Sequence, residues 1–145
     1  MAQRKLGLIG YSKGNGHPFS FSAIINGFNK LYFNLNPVTP INDYLVKQPK
    51  NIFGISDFSV THVWTQNKEM SEAISLYSNI SNVVNEFKEM VDEVEGVLIL
   101  RDDMHFEIAA PFLDKGKFVF IDKPLSTNSK ELEYFKPFLY SGKLM

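Results

Sequence analysis

The stretch over residues 5–18 limits the fold of this chain more than any other. A short apolar run breaks into a turn with three glycines and then into Pro18 and a helix-like pattern. A strand that enters a helix in this way is how a nucleotide-binding α/β domain begins. Glycine lets backbone N–H groups approach a phosphate, and the helix N-terminus adds unpaired donors and a positive dipole end. The stretch predicts a pyrophosphate site made by Gly10, Ser12, Lys13, Gly14, Asn15 and Gly16.

The glycine spacing departs from the usual dinucleotide pattern G-x-G-x-x-G. Counted from Gly10, the second and third glycine positions fall on Ser12 and Asn15, and the two later glycines are displaced. An ordinary glycine-rich connection between strand and helix is therefore an alternative. Lys13 either reaches a pyrophosphate or is simply solvated.

Composition excludes several classes of function. Fifteen Lys and Arg against 16 Asp and Glu leave a formal charge of -1, so no basic surplus favours nucleic acid or an anionic membrane as partner. There is no cysteine, which excludes disulfides and thiolate chemistry, and the 3 histidines show no metal-ligand spacing. Too few apolar residues precede Gly10 for a signal peptide, and no later run reaches membrane-spanning length, so we expect a cytoplasmic protein.

Strand-like and helix-like patterns alternate along the 145 residues. Such alternation specifies an α/β fold, a doubly wound parallel sheet with right-handed crossovers and helices on both faces. We predict strands over residues 6–9, 58–65, 97–100 and 117–121, with an edge strand at Val83 and Val84. Helical spacing predicts helices over residues 18–27, 69–78, 87–94, 104–113 and 129–139. The apolar stripe of the first helix is predicted to include Ile24, that of the fourth to begin at Met104, and that of the last to include Leu132, Phe135 and Leu139.

An insertion at residues 34–57 interrupts this alternation. It contains three prolines and only one short helical piece, Ile41 to Val46, whereas about 2 to 6 residues usually join a helix to a strand. One interpretation is a surface excursion pinned by Tyr44, Phe53 and Phe58. The other is a loop that closes over a ligand.

Ligands of an open parallel sheet bind at the carboxyl ends of its strands. After the second strand, where an NAD enzyme wants a carboxylate for the adenosine ribose, this chain has Thr65, Gln66 and Lys68. Because no acid would repel a 2'-phosphate, NADP is permitted, and Lys68 either pairs with that phosphate or is solvated.

Two aspartates and a histidine follow the aliphatic strand over residues 97–100. Asp102 and Asp103 are either paired carboxylates for acid–base work or N-caps of the next helix. His105 lies in the first turn of that helix and is either a packed histidine or a ligand-binding one.

The run from Val97 to Leu125 resembles the glucose-fructose oxidoreductase/inositol dehydrogenase/MocA family of NAD(P)-dependent oxidoreductases. The residues that carry the resemblance are Leu98-Ile99-Leu100, His105, Lys115-Gly116-Lys117 and Asp122-Lys123-Pro124. The resemblance implies an N-terminal Rossmann domain, a catalytic Lys123 near nicotinamide and substrate, and a turn shaped by Pro124, often through a cis peptide. It also implies cofactor contacts from Arg101, Asp102, His105 and Asp122.

Some residues depart from that family's pattern. Asp122 replaces a glutamate, Arg101 and Asp102 replace a Pro-Asn pair, and the insertion is foreign to most members. Members usually run to well over twice this length, with a second α/β domain that completes the catalytic group. The resemblance therefore implies a single cofactor-binding domain over residues 1–145, without its substrate-binding domain.

The implied function is hydride transfer between NAD or NADP and a sugar, cyclitol or nucleotide sugar, with the 145 residues alone inactive. A homo-oligomer is one of the outcomes left open. Two alternatives also stay open: a nucleotide-sensing or scaffold module without catalysis, and a Rossmann-like domain that has lost its cofactor and serves as an assembly surface.

Overall fold

Five parallel strands form one sheet with the spatial order β3-β2-β1-β4-β5. The strands are β1 (Arg4–Ile9), β2 (Phe58–Trp64), β3 (Asn82–Val83), β4 (Gly96–Ile99) and β5 (Phe118–Ile121). The order along the chain reverses between β1 and β4, which confirms the predicted doubly wound parallel sheet. The computed structural model describes residues 3–55 and 57–145; Met1, Ala2 and Ser56, which belong to the predicted domain, lie outside them.

Helices cover the sheet on both faces. They are α1 (His17–Asn26), α2 (Thr39–Lys47), α3 (Lys68–Tyr77), α4 (His105–Asp114) and α5 (Ser129–Tyr140). Because successive strand residues point to opposite faces, Leu8 packs with α1 and α3, whereas Ile9 packs with α4 and α5. None of the helices in the described ranges combines the length and apolar character that crossing a membrane requires.

The helix predicted over residues 87–94 is wrong. Only a short 3-10 segment, Phe87–Met90, forms there. Separate turns follow it, in which Glu93 and Val94 both donate to Met90 O. These turns bury Met90, Val91 and Val94 at the spacing of a helical stripe without continuing the helix.

Some side chains predicted to point inward are exposed instead. Ile24, Leu132 and Leu139 are 38%, 37% and 43% exposed. In α5 the inward stripe runs through Tyr134, Phe135 and Phe138, which is rotated from the predicted one. Met104, predicted to open the stripe of α4, is an exposed left-handed N-cap residue.

The insertion folds against the face covered by α1 and α3. It forms the 3-10 segments Lys30–Leu35 and Lys50–Ile52 on either side of α2. Leu45 is fully buried, and the Tyr77 hydroxyl donates to Asn42 Oδ1 at 2.6 Å, where Asn36 also donates at 3.0 Å. Burial raises the pKa of Tyr77, which keeps that donor protonated. Phe53 and Phe58 pack against this face, as the surface-excursion interpretation predicts, whereas Tyr44 is 53% exposed.

Among the described residues, no helix covers one part of the sheet. A cavity of about 710 Å³ lies beside β1, β4 and β5, on the face that α1 covers elsewhere, and Leu6, Leu98, Phe118 and Phe120 line it. Next to it, Leu144 forms a parallel bridge with Val119 on the outer edge of β5.

Candidate functional site

The turn after β1 begins with a glycine that the structure requires. Gly10 has a φ of 89°, in the region that favours glycine. A Cβ there would lie only 2.7–2.8 Å from Cβ, Cγ and Cδ of Arg101. The buried Arg101 side chain therefore crosses directly over the end of β1.

The exposed part of the turn presents backbone donors. Within the described ranges, the N–H groups of Ser12, Lys13 and Gly14 have no protein acceptor, and a Cβ at Gly14 would meet nothing within 4 Å. These three amides are free to bind an anion. Gly16, in contrast, is buried, and a side chain there would overlap Ile41 of the insertion.

The first turn of α1 contributes no donors of its own, contrary to the expectation for its N-terminus. The His17 N–H donates to Asn15 Oδ1 at 2.9 Å, residue 18 is a proline, and Phe19 and Ser20 both donate to Gly16 O. The anion-binding capacity therefore belongs to the turn rather than to the helix.

Neutral hydrogen bonds hold the end of β2, which we call the β2 flank (Thr65, Gln66 and Lys68). The side-chain amide of Gln66 forms two hydrogen bonds with the backbone of the turn. Tyr11 N donates to Gln66 Oε1 at 3.3 Å, and Gln66 Nε2 donates to Tyr11 O. Thr65 is buried and bonded to Ser71, with 2.9 Å between their hydroxyl oxygens. Lys68 is exposed at the start of α3 and has no ion pair within residues 3–55 and 57–145.

The ends of β4 and β5 carry three aspartates, which we call the acidic flank (Asp102, Asp103 and Asp122). Asn15 Nδ2 donates to Asp102 Oδ1 and to Asp122 Oδ2, both at 3.3 Å. His17 Nδ1 donates to the same Asp122 oxygen at 2.5 Å. The Lys123 N–H donates to the other oxygen, Oδ1, at 3.0 Å.

These donors keep Asp122 ionised. Burial of the carboxyl group raises its pKa, but the hydrogen bonds from His17, Asn15 and the Lys123 amide outweigh burial, so the pKa is lowered overall. At neutral pH, Asp122 is therefore a buried carboxylate that joins the start of α1 to the turn after β5.

Neither aspartate after β4 caps α4, so the N-cap alternative is wrong. Asp103 forms an ion pair with Arg101, with 2.6 Å between Arg101 Nη2 and Asp103 Oδ1. The Asp102 N–H donates to Ser12 Oγ at 3.0 Å. Asp103 therefore stabilises the loop after β4, and Asp102 connects that loop to the glycine turn.

His105 is a buried link between two loops. Its Nε2 lies 2.6 Å from Arg101 O and its Nδ1 lies 3.1 Å from Leu125 O. The imidazole ring thus connects the loop after β4 to the loop after β5. Of the two interpretations of the sequence, the geometry favours the packed histidine.

Lys123 and Pro124 are both exposed beyond the acidic flank, and the peptide bond between them is cis. Within the part of the chain that the structure describes, Lys123 has no ion pair. Its amine is therefore available to a ligand at this edge of the sheet.

Sequence reasoning missed one member of the site, His17. Its position on the first turn of a helix after the glycine turn was a signal, since that helix begins at the carboxyl edge. Its partner Asp122 is 105 residues away, however, and only the packing of α1 on the sheet brings the two together.

Comparisons with known proteins identify the family and the fold. Residues 40–137 match the family model GFO_IDH_MocA, described as "Oxidoreductase family, NAD-binding Rossmann fold". The match leaves out β1 and the glycine turn. No curated protein matches the chain.

Several solved structures share the fold at low sequence identity. Scyllo-inositol dehydrogenase from Lactobacillus casei with bound NAD(H) and scyllo-inositol is 14% identical, with a TM-score of 0.64, over 99% of this chain and 35% of that chain. For UDP-N-acetylglucosamine 3-dehydrogenase from Acidithiobacillus ferrooxidans the values are 16%, 0.62, 99% and 37%. For biliverdin reductase from Synechocystis with biliverdin and NADP+ they are 12%, 0.62, 97% and 36%. The chain thus spans about a third of the length of these structures.

Proposed function

Because the chain belongs to the GFO_IDH_MocA oxidoreductase family with its NAD-binding Rossmann fold, we propose that it is the cofactor-binding domain of a hydride-transferring enzyme. The proposed substrate is a sugar, cyclitol or nucleotide sugar. The observation that carries the proposal is the set of free N–H groups at Ser12, Lys13 and Gly14. They lie beside the point where the strand order reverses, which is where open parallel sheets bind ligands.

The residues of the edge fit a dinucleotide laid across it. The three amides and the Lys13 side chain suit a pyrophosphate, while the acidic flank disfavours phosphate and suits the nicotinamide and substrate end. The dinucleotide, when bound, gives or accepts the hydride. Lys123 lies at this end, where a cation favours deprotonation of a substrate hydroxyl and attracts a polar substrate. Asp122 accepts from the Lys123 N–H and so fixes the backbone from which that amine extends.

The β2 flank bears on the choice between NAD and NADP. It has no carboxylate, and both polar ends of the Gln66 amide are engaged by Tyr11. Lys68 is therefore the group left to meet a 2'-phosphate, which supports acceptance of NADP alongside NAD.

We also propose that a second, substrate-binding domain completes the enzyme, as the family resemblance implies. The solved structures with this fold are about three times as long as the chain. The uncovered apolar face beside β4 and β5 is a second support, because parallel sheets are normally covered on both faces. On this proposal the 145 residues bind cofactor but turn over nothing. Measurable dehydrogenase activity from the 145 residues would contradict it.

The direct test is a calorimetric titration of the chain with NAD+, NADH, NADP+ and NADPH. We expect weak binding of at least one form. Backbone amide NMR signals of Ser12, Lys13 and Gly14 should move during the titration. The amides of Gly116 and Gly142, which also have positive φ but lie in turns away from this edge, are the internal control.

Absence of binding by all four forms would overturn the proposal and favour the assembly-surface alternative. Binding with unchanged turn amides would overturn the assigned site. The nucleotide-sensing alternative draws on the displaced glycines and the missing acid, and the exposed Lys123 argues against it. Cytoplasmic location, oligomeric state and the absence of nucleic-acid and membrane partners stay predictions from the sequence.

A further inference from the structure

Asn15 and two aspartates of the acidic flank form one hydrogen-bonded unit. Asn15 Nδ2 donates to Asp102 Oδ1 and to Asp122 Oδ2, both at 3.3 Å. Asn15 therefore links the glycine turn to the ends of β4 and β5.

His17 completes this unit. Its Nδ1 donates to Asp122 Oδ2 at 2.5 Å, and its ring stacks on Phe21 with 5.1 Å between centroids and 19° between planes. Phe21 in turn contacts Phe120 of β5. The imidazole is therefore held in one orientation by α1 itself and by the strand that leads to Asp122.

The Asp122 carboxylate has a second role at its other oxygen. Oδ1 accepts from the Lys123 N–H at 3.0 Å, while Oδ2 accepts from His17 and Asn15. A rotation of the carboxylate would break both sets of bonds together. The hydrogen-bonded path thus runs from the first residue of α1, through one side chain, to the backbone of Lys123.

We propose that His17 is a positioning residue: it fixes the Asp122 carboxylate and thereby couples the glycine turn to the turn that carries Lys123. This inference rests on the proposed function, since the coupling matters only if both turns hold one dinucleotide. The turn amides would bind the pyrophosphate, and His17 would set the nicotinamide end of the same site. Among titratable groups, His17 contacts the Asp122 carboxylate directly, and Asp102 lies across Asn15, which donates to both aspartates.

The test compares His17→Ala with His17→Asn, whose amide N–H replaces Nδ1 as donor. Ile24→Ala, at an exposed position further along α1, is the control. The first readout is the 13C titration of the Asp122 carboxyl, together with the Lys123 amide signal. We expect Asp122 to titrate at higher pH in His17→Ala than in the wild type, and to be largely restored in His17→Asn. Ile24→Ala should leave both signals unchanged.

The second readout separates positioning from a general loss of structure. We expect His17→Ala to weaken the wild type's dinucleotide binding about fivefold, the loss typical of one hydrogen bond. Binding of ADP-ribose, which lacks the nicotinamide, should be nearly unchanged. Rescue of the dinucleotide affinity by His17→Asn would support the proposal.

An unchanged Asp122 titration in His17→Ala would overturn the proposal. A moved titration with unchanged dinucleotide affinity would also overturn it, as would an equal loss for ADP-ribose. If the wild type binds no dinucleotide, the proposed function fails instead, while the Asp122 titration still decides whether His17 controls that carboxylate.

Discussion

On the β2 flank the glycine turn is held by an uncharged amide, whereas on the acidic flank it is held by the ionised carboxylate of Asp122. Gln66 grips the backbone of Tyr11, and both partners are neutral at any ordinary pH. On the other side, Asn15 and His17 are tied to the carboxylate of Asp122. Two sides of one turn are therefore stabilised by interactions that respond differently to pH and to salt. The difference separates a flank suited to the adenosine end from one suited to the reacting end.

The largest effect should come from a substitution of Gly10, which lies where the two flanks meet. Gly10→Ala combines a positive φ with a Cβ only 2.7 Å from Arg101 Cδ, so we expect unfolding to become easier by about 3 kcal/mol. Gly14→Ala shares the positive φ but meets no atom within 4 Å, and should cost about 1 kcal/mol. Urea unfolding measures both, and equal losses would show that Arg101 does not pack on Gly10.

A change at Asp122 tests the acidic flank alone. Asp122→Ala removes the acceptor for three donors, and we expect a loss of about 2 kcal/mol in the free energy of unfolding at pH 7. Because the pKa of Asp122 is lowered in the folded state, its contribution is fully present above the unfolded pKa of about 3.9. The contribution disappears as the pH falls through the lower folded value. Unfolding measured from pH 7 to pH 2 should therefore show wild type and variant converging at acid pH.

The corresponding change on the β2 flank is Gln66→Ala. We expect a loss of about 1 kcal/mol, because the reciprocal bonds to Tyr11 are neutral and partly exposed. The loss should be the same at pH 7 and pH 4, since the amide does not ionise. Gln48→Ala, which removes an exposed glutamine bonded weakly at 3.4 Å to Tyr44 O, is the matched control. A Gln66→Ala loss that varied with pH as that of Asp122→Ala does would abolish the distinction between the flanks.

The smallest effect concerns Lys68. Lys68→Ala should weaken NADP(H) binding about threefold through loss of an exposed charge, with NAD(H) affinity and stability unchanged. Calorimetry measures both cofactors, and Lys47→Ala on α2 serves as control. A loss that was the same for NAD(H) would show that Lys68 does not distinguish the 2'-phosphate.

Patterns in the sequence predicted the strands better than the helix faces. The aliphatic run at residues 97–100 has no polar face, so a buried strand was the only structure that fitted it, and β4 begins one residue earlier than predicted. The spacing of Phe87, Met90 and Val94 fits a helix and a series of turns equally well. For α5, the buried stripe depends on which face of the helix contacts the sheet. The spacing of Leu132 and Leu139 does not determine that face.

The candidate site was also predicted only in part. The rule that parallel strands place their carboxyl ends at one edge correctly brought Ser12, Gln66, Asp102 and Asp122 to the same side of the sheet. It did not predict that Asn15 would bond to an aspartate 107 residues away, because that contact depends on the rotation of α1. The rotation of α1 also brings His17 to the site, so its role was not predicted either. That these residues bind a dinucleotide stays a prediction.

The bridge between Leu144 and Val119 has a consequence for aggregation. The outer edge of β5 would otherwise offer a row of unpaired backbone groups to a strand of another molecule. Lys143 O accepts from Val119 N, and Met145 O accepts from Ile121 N, so three residues occupy that edge. The opposite edge, β3, is protected by being only 2 residues long. Loss of residues 143–145 would therefore expose the backbone of β5 to pairing with a strand of another molecule. Phe118 and Phe120 would add apolar contacts to such a pairing.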